Sequence, residues 1–361
     1  MTQLSTNEII TTIGPSSADV DILNKLKSAG ATSFRINLSH SDDSDLLKYL
    51  TLFSKTSVLP SIDTQGAQVR IDSDPKKELY ERGQTLVIKS SNAPSTLDCD
   101  FSINHPELFH QISVDDLIRI DFEGMTVKVV SIGKESWSAS CLVLTSGRAL
   151  RNKALDVLGK PTLLDPLTDF DKRAIIISLE HNISEIYLSF VNKASDVLQL
   201  KEFLLAQGCV NYPRIISKIE SELGIINLES IIRESDAILV DRGDLSREIS
   251  ISKVPIATRS ILSTCRLHNT PCFIATNVLD SMINLDLPSR AEISDLFHLF
   301  EQGTSGIVLA AEVAIGKNPV ECVQVVRYIN QIYKAQSNSL LGVISSSQLL
   351  EALPEPLRHW L

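Results

Sequence analysis

Short apolar runs and longer amphipathic stretches alternate along most of this chain. Ile9-Ile-Thr-Thr-Ile13 is β-branched throughout and stops at Gly14-Pro15, which predicts a strand and a turn. Ile22, Leu23, Leu26 and Ala29 then fall at helical spacing, with Gly30 as a stop. The rhythm repeats with a strand at Ser33-Phe-Arg35-Ile-Asn37-Leu38, a helix over Leu46 to Phe53 and a strand closing at Ile62-Asp63-Thr64. From about Ile71 the texture changes to short alternating runs, Thr85 to Lys89, Leu117 to Asp121, Thr126 to Val130 and Ala139 to Leu144, divided by turn residues. The longer rhythm resumes near Leu164. Strands at Ile186 to Phe190, Arg214 to Glu220, Ala237 to Asp241, Cys272 to Thr276 and Gly306 to Ala310 alternate with helical patterns at Asp169–Leu179, Ala194–Ala206, Leu223–Arg233, Ile256–Leu267, Arg290–Phe300 and Val320–Ile332. Ser289 and Glu292 make a capping box, and Pro319 suits a first helical turn.

Eight strands and eight helices in alternation, interrupted once after the third strand, predict an α/β fold: a (β/α)8 TIM barrel with an inserted small all-β domain. The expected boundaries are 1–70 and 159–336 for the barrel, 71–158 for the insert and 337–361 for a short tail of one or two helices. A doubly wound sheet is disfavoured, because neither GxGxxG nor GxxxxGK[ST] occurs.

Composition narrows the function classes. A formal net charge of −10 argues against nucleic acid as a partner, and no apolar run approaches a membrane span. The six cysteines at 99, 141, 209, 265, 272 and 322 form no CxxC pair, which suits a reducing cytoplasm better than a zinc cluster or a disulfide scaffold. The N-terminal residues lack the form of a signal peptide, so a cytoplasmic location is expected.

The chemistry gathers at the carboxyl ends of the predicted strands. The buried run before Lys218 and Glu220, and the one before Arg242 and Asp244, both end in charge, which a buried strand carries only where its tip meets a ligand or a metal. Arg35, Asn37, Ser39, Asp63, Thr64, Thr276 and Glu312 hold comparable positions. A Glu–Asp pair of hard oxygens suits Mg²⁺ or Mn²⁺, and the basic groups suit a phosphate or a developing oxyanion. Singly, each has a plainer reading: Glu220 or Asp244 as a solvated acid or ion-pair partner, Lys218 as a surface charge, Thr276 as a strand-end hydroxyl, Glu312 as the start of a helical turn. Both readings stand on the residues alone; convergence on one barrel face favours the site.

These segments resemble the pyruvate kinase family. The resemblance is carried by Thr12-Ile-Gly-Pro15, Arg35-Ile-Asn-Leu-Ser-His40, Asp63-Thr64-x-Gly66 with Arg70, Ser189-Phe190, Ile216-Ser-Lys-Ile-Glu220, Arg242-Gly-Asp-Leu245, Ala275-Thr276 and Arg290-Ala-Glu292, in order through most of residues 8 to 336. It implies transfer of a phosphoryl group from phosphoenolpyruvate to ADP, a glycolytic step. Lys218, Thr276 and Arg35 would be catalytic, and Glu220 and Asp244 would hold Mg²⁺ or Mn²⁺. Asn37, Ser39, Asp63 and Thr64 would hold K⁺; Arg35, Gly243, Asp244 and Thr276 would bind the substrate; His40, Arg70 and Lys153 would lie on the nucleotide side. Self-association through the barrel domain is left open, and the family's C-terminal regulatory domain is expected to be absent.

Several positions depart from the family pattern. Asp241 stands at a usual alanine, Ser246 at a glycine, Gln65 at a lysine and Gln68 at a glutamate. Asn277-Val278 replace Gln-Met, Ala311 and Val313 flank Glu312 in place of glycine and threonine, and Ala154, Asp156 and Leu158 replace glycine, asparagine and proline at the end of the insert. Two alternatives therefore stand beside the kinase: a non-catalytic relative that binds a metabolite or a protein, and a changed reaction on the same enolate site.

Overall fold

The computed structural model describes residues 7–121, 124–133, 135, 137–160 and 162–337. Eight parallel strands close a barrel: β1 (Glu8–Ile13), β2 (Ser33–Asn37), β3 (Pro60–Asp63), β4 (Glu185–Leu188), β5 (Arg214–Ile219), β6 (Ala237–Asp241), β7 (Cys272–Ala275) and β8 (Gly306–Leu309). They pair in chain order, and β1 bonds both β2 and β8 to complete the ring.

The twofold strand period sorts the side chains. Ile238 and Val240 of β6 face the outer core beneath the helices, whereas Ala237 and Leu239 join Ile10, Tyr187, Ile216, Phe273, Ala275 and Val308 in the lumen. Continuing that alternation aims Asp241 inward, and on β5 it aims Lys218 and Glu220 the same way as Ile216. At the opposite end the lumen is closed by polar groups. Glu185 accepts from Ser33 Oγ at 2.6 Å and from the Tyr187 hydroxyl at 2.7 Å, and Arg214 pairs with both Glu185 and Glu8.

Helix edges follow local capping. The helix Asp43–Phe53 begins earlier than its apolar pattern, because Asp42 and Asp45 form a capping box. The stretch read as one helix, Leu223 to Arg233, is two, Glu222–Ile226 and Leu228–Glu234, separated at Asn227. A short helix, Arg242–Glu248, follows β6 directly and turns an expected strand tip into a helical turn carrying Gly243 and Asp244. The expected Ser289/Glu292 box is present. The last described helix is Pro319–Ser337, and the tail from 338 to 361 lies outside the described residues.

The chain divides into two compact units: Ala67–Asp165, and the barrel on either side of it. The inserted unit is wider than the 71–158 read from composition, because Val69, Ile71 and Leu164 pack into its own core with Tyr80, Phe101 and Phe109. It holds a six-stranded sheet containing Thr85–Ser90, Leu117–Ile120, Met125–Gly133 and Ser138–Thr145, together with short strands such as Phe101–Ile103 that carried no alternating signal.

Candidate active site

The inward register brings Arg35, Asp63, Lys218, Glu220 and Asp241 to one end of the barrel, with Thr276 directly after the inward-facing Ala275, and Gly243 and Asp244 on the turn after β6. Arg35 is 2% exposed, so its fork depends on buried partners, and Nη1 has an ion pair but no hydrogen bond. Nε and Nη2 donate to Thr12 Oγ1 at 3.1 and 2.8 Å, Nη1 lies 2.8 Å from Asp63 Oδ2, and the guanidinium stacks over the Tyr187 ring. A fork held on two sides offers a fixed positive charge at the tip of β2.

Lys218 is the centre of the cluster. Its Nζ lies 2.8 Å from Glu220 Oε1, 3.3 Å from Asp63 Oδ1, 3.6 Å from Asp241 Oδ2 and 3.2 Å from Ser189 Oγ. Burial alone would pull this ammonium down, but the Asp63, Glu220 and Asp241 carboxylates outweigh it and hold it above its ordinary value. The three carboxylates thus favour its charged form.

Glu220 has the opposite problem. Burial pushes its carboxyl up to about 8, against the pull of Lys218, and Asp244 and Asp241 add repulsion. Asp244 is raised by burial and then by Asp241. Glu220 Oε2 accepts from Phe190 N at 2.6 Å. Its buried Oε1 makes no hydrogen bond, although Lys218 Nζ is close. One oxygen from each of Glu220, Asp241 and Asp244 fits within 4.8 Å of the others. Three hard carboxylates converging in this way fit a divalent cation of the Mg²⁺ or Mn²⁺ kind.

Thr276 holds a backbone φ of 65°, a costly conformation for a β-branched residue, and Asn277 and Phe190 also take positive φ. The strain aims the hydroxyl. Thr276 Oγ1 has two acceptors within reach of its one proton, Asp241 Oδ1 at 3.1 Å and Ala275 O at 2.7 Å, and accepts from Gly243 N at 2.7 Å. A Cβ on Gly243 would stand 3.3 Å from that oxygen, closer than most side-chain contacts allow. Arg242 points elsewhere, bonding Asp295 and the Thr276 and Asn277 carbonyls.

The remaining expected residues are placed differently. Asn37 and Asp63 are register partners on β2 and β3, and Ser39 and Thr64 follow them, so four oxygen-bearing residues share adjacent strand tips. That donor chemistry fits a monovalent cation, although Asn37 Oδ1 accepts from Ser39 N and Thr64 Oγ1 from Ser189 N. His40 is exposed on a short turn. Arg70 and Lys153 belong to the inserted unit, where Arg70 bonds Asn152 O and Lys153 pairs with Asp121. Glu312 is a buried brace, accepting from Leu279 N and Ala310 N. Ser189 and Asp241 are the members that the strand-tip reading did not assign to the site. Both continue the inward register, two residues past Tyr187 and Leu239, and that alternation is the signal that finds them.

A family model described as the pyruvate kinase barrel domain matches residues 4–323. The chain is 34% identical over 329 residues to plastidial pyruvate kinase 3 of Arabidopsis thaliana, covering 89% of this chain and 57% of that protein. It is 32% identical over 329 residues to the pyruvate kinase of Geobacillus stearothermophilus, covering 89% and 56%. The chain thus spans little more than half the length of these relatives. A crystal structure of a pyruvate kinase from Cryptosporidium parvum superposes with a TM-score of 0.82 at 29% identity, covering 98% of this chain and 73% of the other. The barrel, the cluster at its strand tips and these likenesses agree, and the chain belongs to the pyruvate kinase family.

Proposed function

We propose that this protein transfers a phosphoryl group from phosphoenolpyruvate to ADP, releasing pyruvate and ATP, with Mg²⁺ or Mn²⁺ and K⁺. The observation that carries the reading is the buried Lys218 ammonium, fixed by Asp63, Glu220 and Ser189 at 3.3, 2.8 and 3.2 Å. Catalysis of this kind is positioning and electrostatics, and a preorganised cation stabilises charge as it develops on phosphoryl and enolate oxygens. Arg35 holds the phosphate with a fork already oriented by Thr12 and Asp63. Thr276 faces the enolate carbon as it takes its proton, and the backbone of Gly243 and Asp244 receives the substrate carboxylate. Glu220 and Asp244 would hold the divalent ion, which when bound supplies Lewis acidity and neutralises substrate charge. Asn37, Ser39, Asp63 and Thr64 would hold K⁺. His40, Arg70 and Lys153 are the residues proposed for the nucleotide side.

A second reading, binding without turnover, is favoured by one observation: the Asp241 carboxylate occupies the Thr276 hydroxyl. Pyruvate formation from phosphoenolpyruvate, followed by a coupled dehydrogenase assay across Mg²⁺, Mn²⁺, K⁺ and the common nucleoside diphosphates, tests the first reading. Turnover supports it. Calorimetric binding of phosphoenolpyruvate without turnover under any of those conditions replaces it with the second.

A further inference from the structure

Of the four acids in the cluster, Asp241 has its nearest cation farthest away, Lys218 at 3.6 Å against 2.8 Å for Asp63 and Glu220 and 3.2 Å for Asp244. Its side chain is 9% exposed. Oδ1 accepts the Thr276 hydroxyl, and Oδ2 has Lys218 only at 3.6 Å, beyond hydrogen-bond distance. Lys218 is already shared by Asp63 and Glu220, Arg35 is taken by Asp63, and Arg247 meets Asp244 at 3.2 Å. Three basic side chains thus serve four acidic ones, and three of the acids, Glu220, Asp241 and Asp244, converge within 4.8 Å. Glu220 Oε1 has the Lys218 ammonium at 2.8 Å, and the same ammonium is the nearest cation to Asp241.

Acids crowded together in a buried site are eased by a cation set among them. A dication would receive one oxygen from each of the three acids, and waters would complete its preferred sphere. The geometry points to Asp241 as a third protein ligand of the divalent cation, so that the chain holds Mg²⁺ or Mn²⁺ through three carboxylates of its own before an anionic substrate arrives. This rests on the reading of Glu220 and Asp244 as divalent-ion ligands. It alters what the site asks of a substrate, because an inner-sphere position is already filled by a fixed negative group.

The test is Mn²⁺ binding to the full chain without substrate, by isothermal calorimetry and by the paramagnetic resonance signal of free Mn²⁺. Asp241→Asn keeps the side-chain shape and an oxygen for the Thr276 hydroxyl but removes the charge. Asp241→Ala is run in parallel, so that either folded variant decides, with folding checked by circular dichroism. Loss of this ligand is expected to weaken Mn²⁺ binding at least about tenfold, and Glu220→Gln should weaken it similarly. Wild-type affinity in a folded Asp241 variant, with affinity lost in Glu220→Gln, overturns the third-ligand inference and leaves the two-carboxylate reading standing. Wild-type affinity in the Asp241 and Glu220 variants alike overturns both.

Discussion

The Thr276 hydroxyl points at Asp241 Oδ1 across 3.1 Å, although the two residues stand 35 apart in the chain. The contact joins β6 to the residue that follows β7, and Gly243 N donates to the same hydroxyl oxygen at 2.7 Å. It ties a strained threonine, at φ 65°, to an acid that the buried Lys218 reaches at 3.6 Å.

Removing that hydroxyl should therefore loosen the turn as well as the chemistry. Thr276→Val keeps the branched shape but strands the Gly243 N–H and the Asp241 carboxylate. A loss of about 1–3 kcal/mol in urea unfolding is expected. Thr276→Ser should restore most of it.

Gly66 is a second fixed point. Its φ is +67°, and a Cβ there would stand 2.8 Å from Phe190 Cδ2 and 2.9 Å from Ser189 Cβ. Gly66→Ala is expected to cost about 1–3 kcal/mol from overpacking and backbone strain. Because Ser189 bonds Lys218 and Asp63, turnover should fall more steeply than stability. Parallel urea titrations and kcat measurements separate the two effects.

The far end of the barrel offers the converse case. Arg214 pairs with Glu185 and Glu8 and covers the Phe273 ring, away from the strand tips. Arg214→Met should lower stability, by less than the ~3–5 kcal/mol of a fully buried pair, because the arginine keeps some exposure. Turnover of the folded fraction should be unchanged, since conserved chemistry in this architecture lies at the carboxyl ends of strands. A large fall in kcat at unchanged stability would contradict that division.

Much of this arrangement is legible in the sequence because period and charge coincide. Buried runs such as Ala237 to Val240 end abruptly in acids, and that discontinuity marks a strand tip without any structure. What stays hidden depends on long-range contact. Val69 and Leu164 join the inserted core only once the chain has folded back, so composition misplaces its edges. The helix Arg242–Glu248 is masked because its first residues follow directly on the strand. The break at Asn227 lies inside an apolar pattern continuous enough to read as one helix. Thr276 shows nothing in its neighbours to announce a left-handed backbone.

The most direct test of the phosphoryl-transfer account is the coupled pyruvate assay on the wild type and on Lys218→Ala, with Mg²⁺, K⁺, phosphoenolpyruvate and ADP saturating. The account predicts pyruvate formation by the wild type and a fall in kcat of about 10²–10³-fold or more in a folded Lys218→Ala protein, the scale expected for loss of a preorganised charge. Wild-type kcat in that variant, or a wild type that forms no pyruvate, would contradict it.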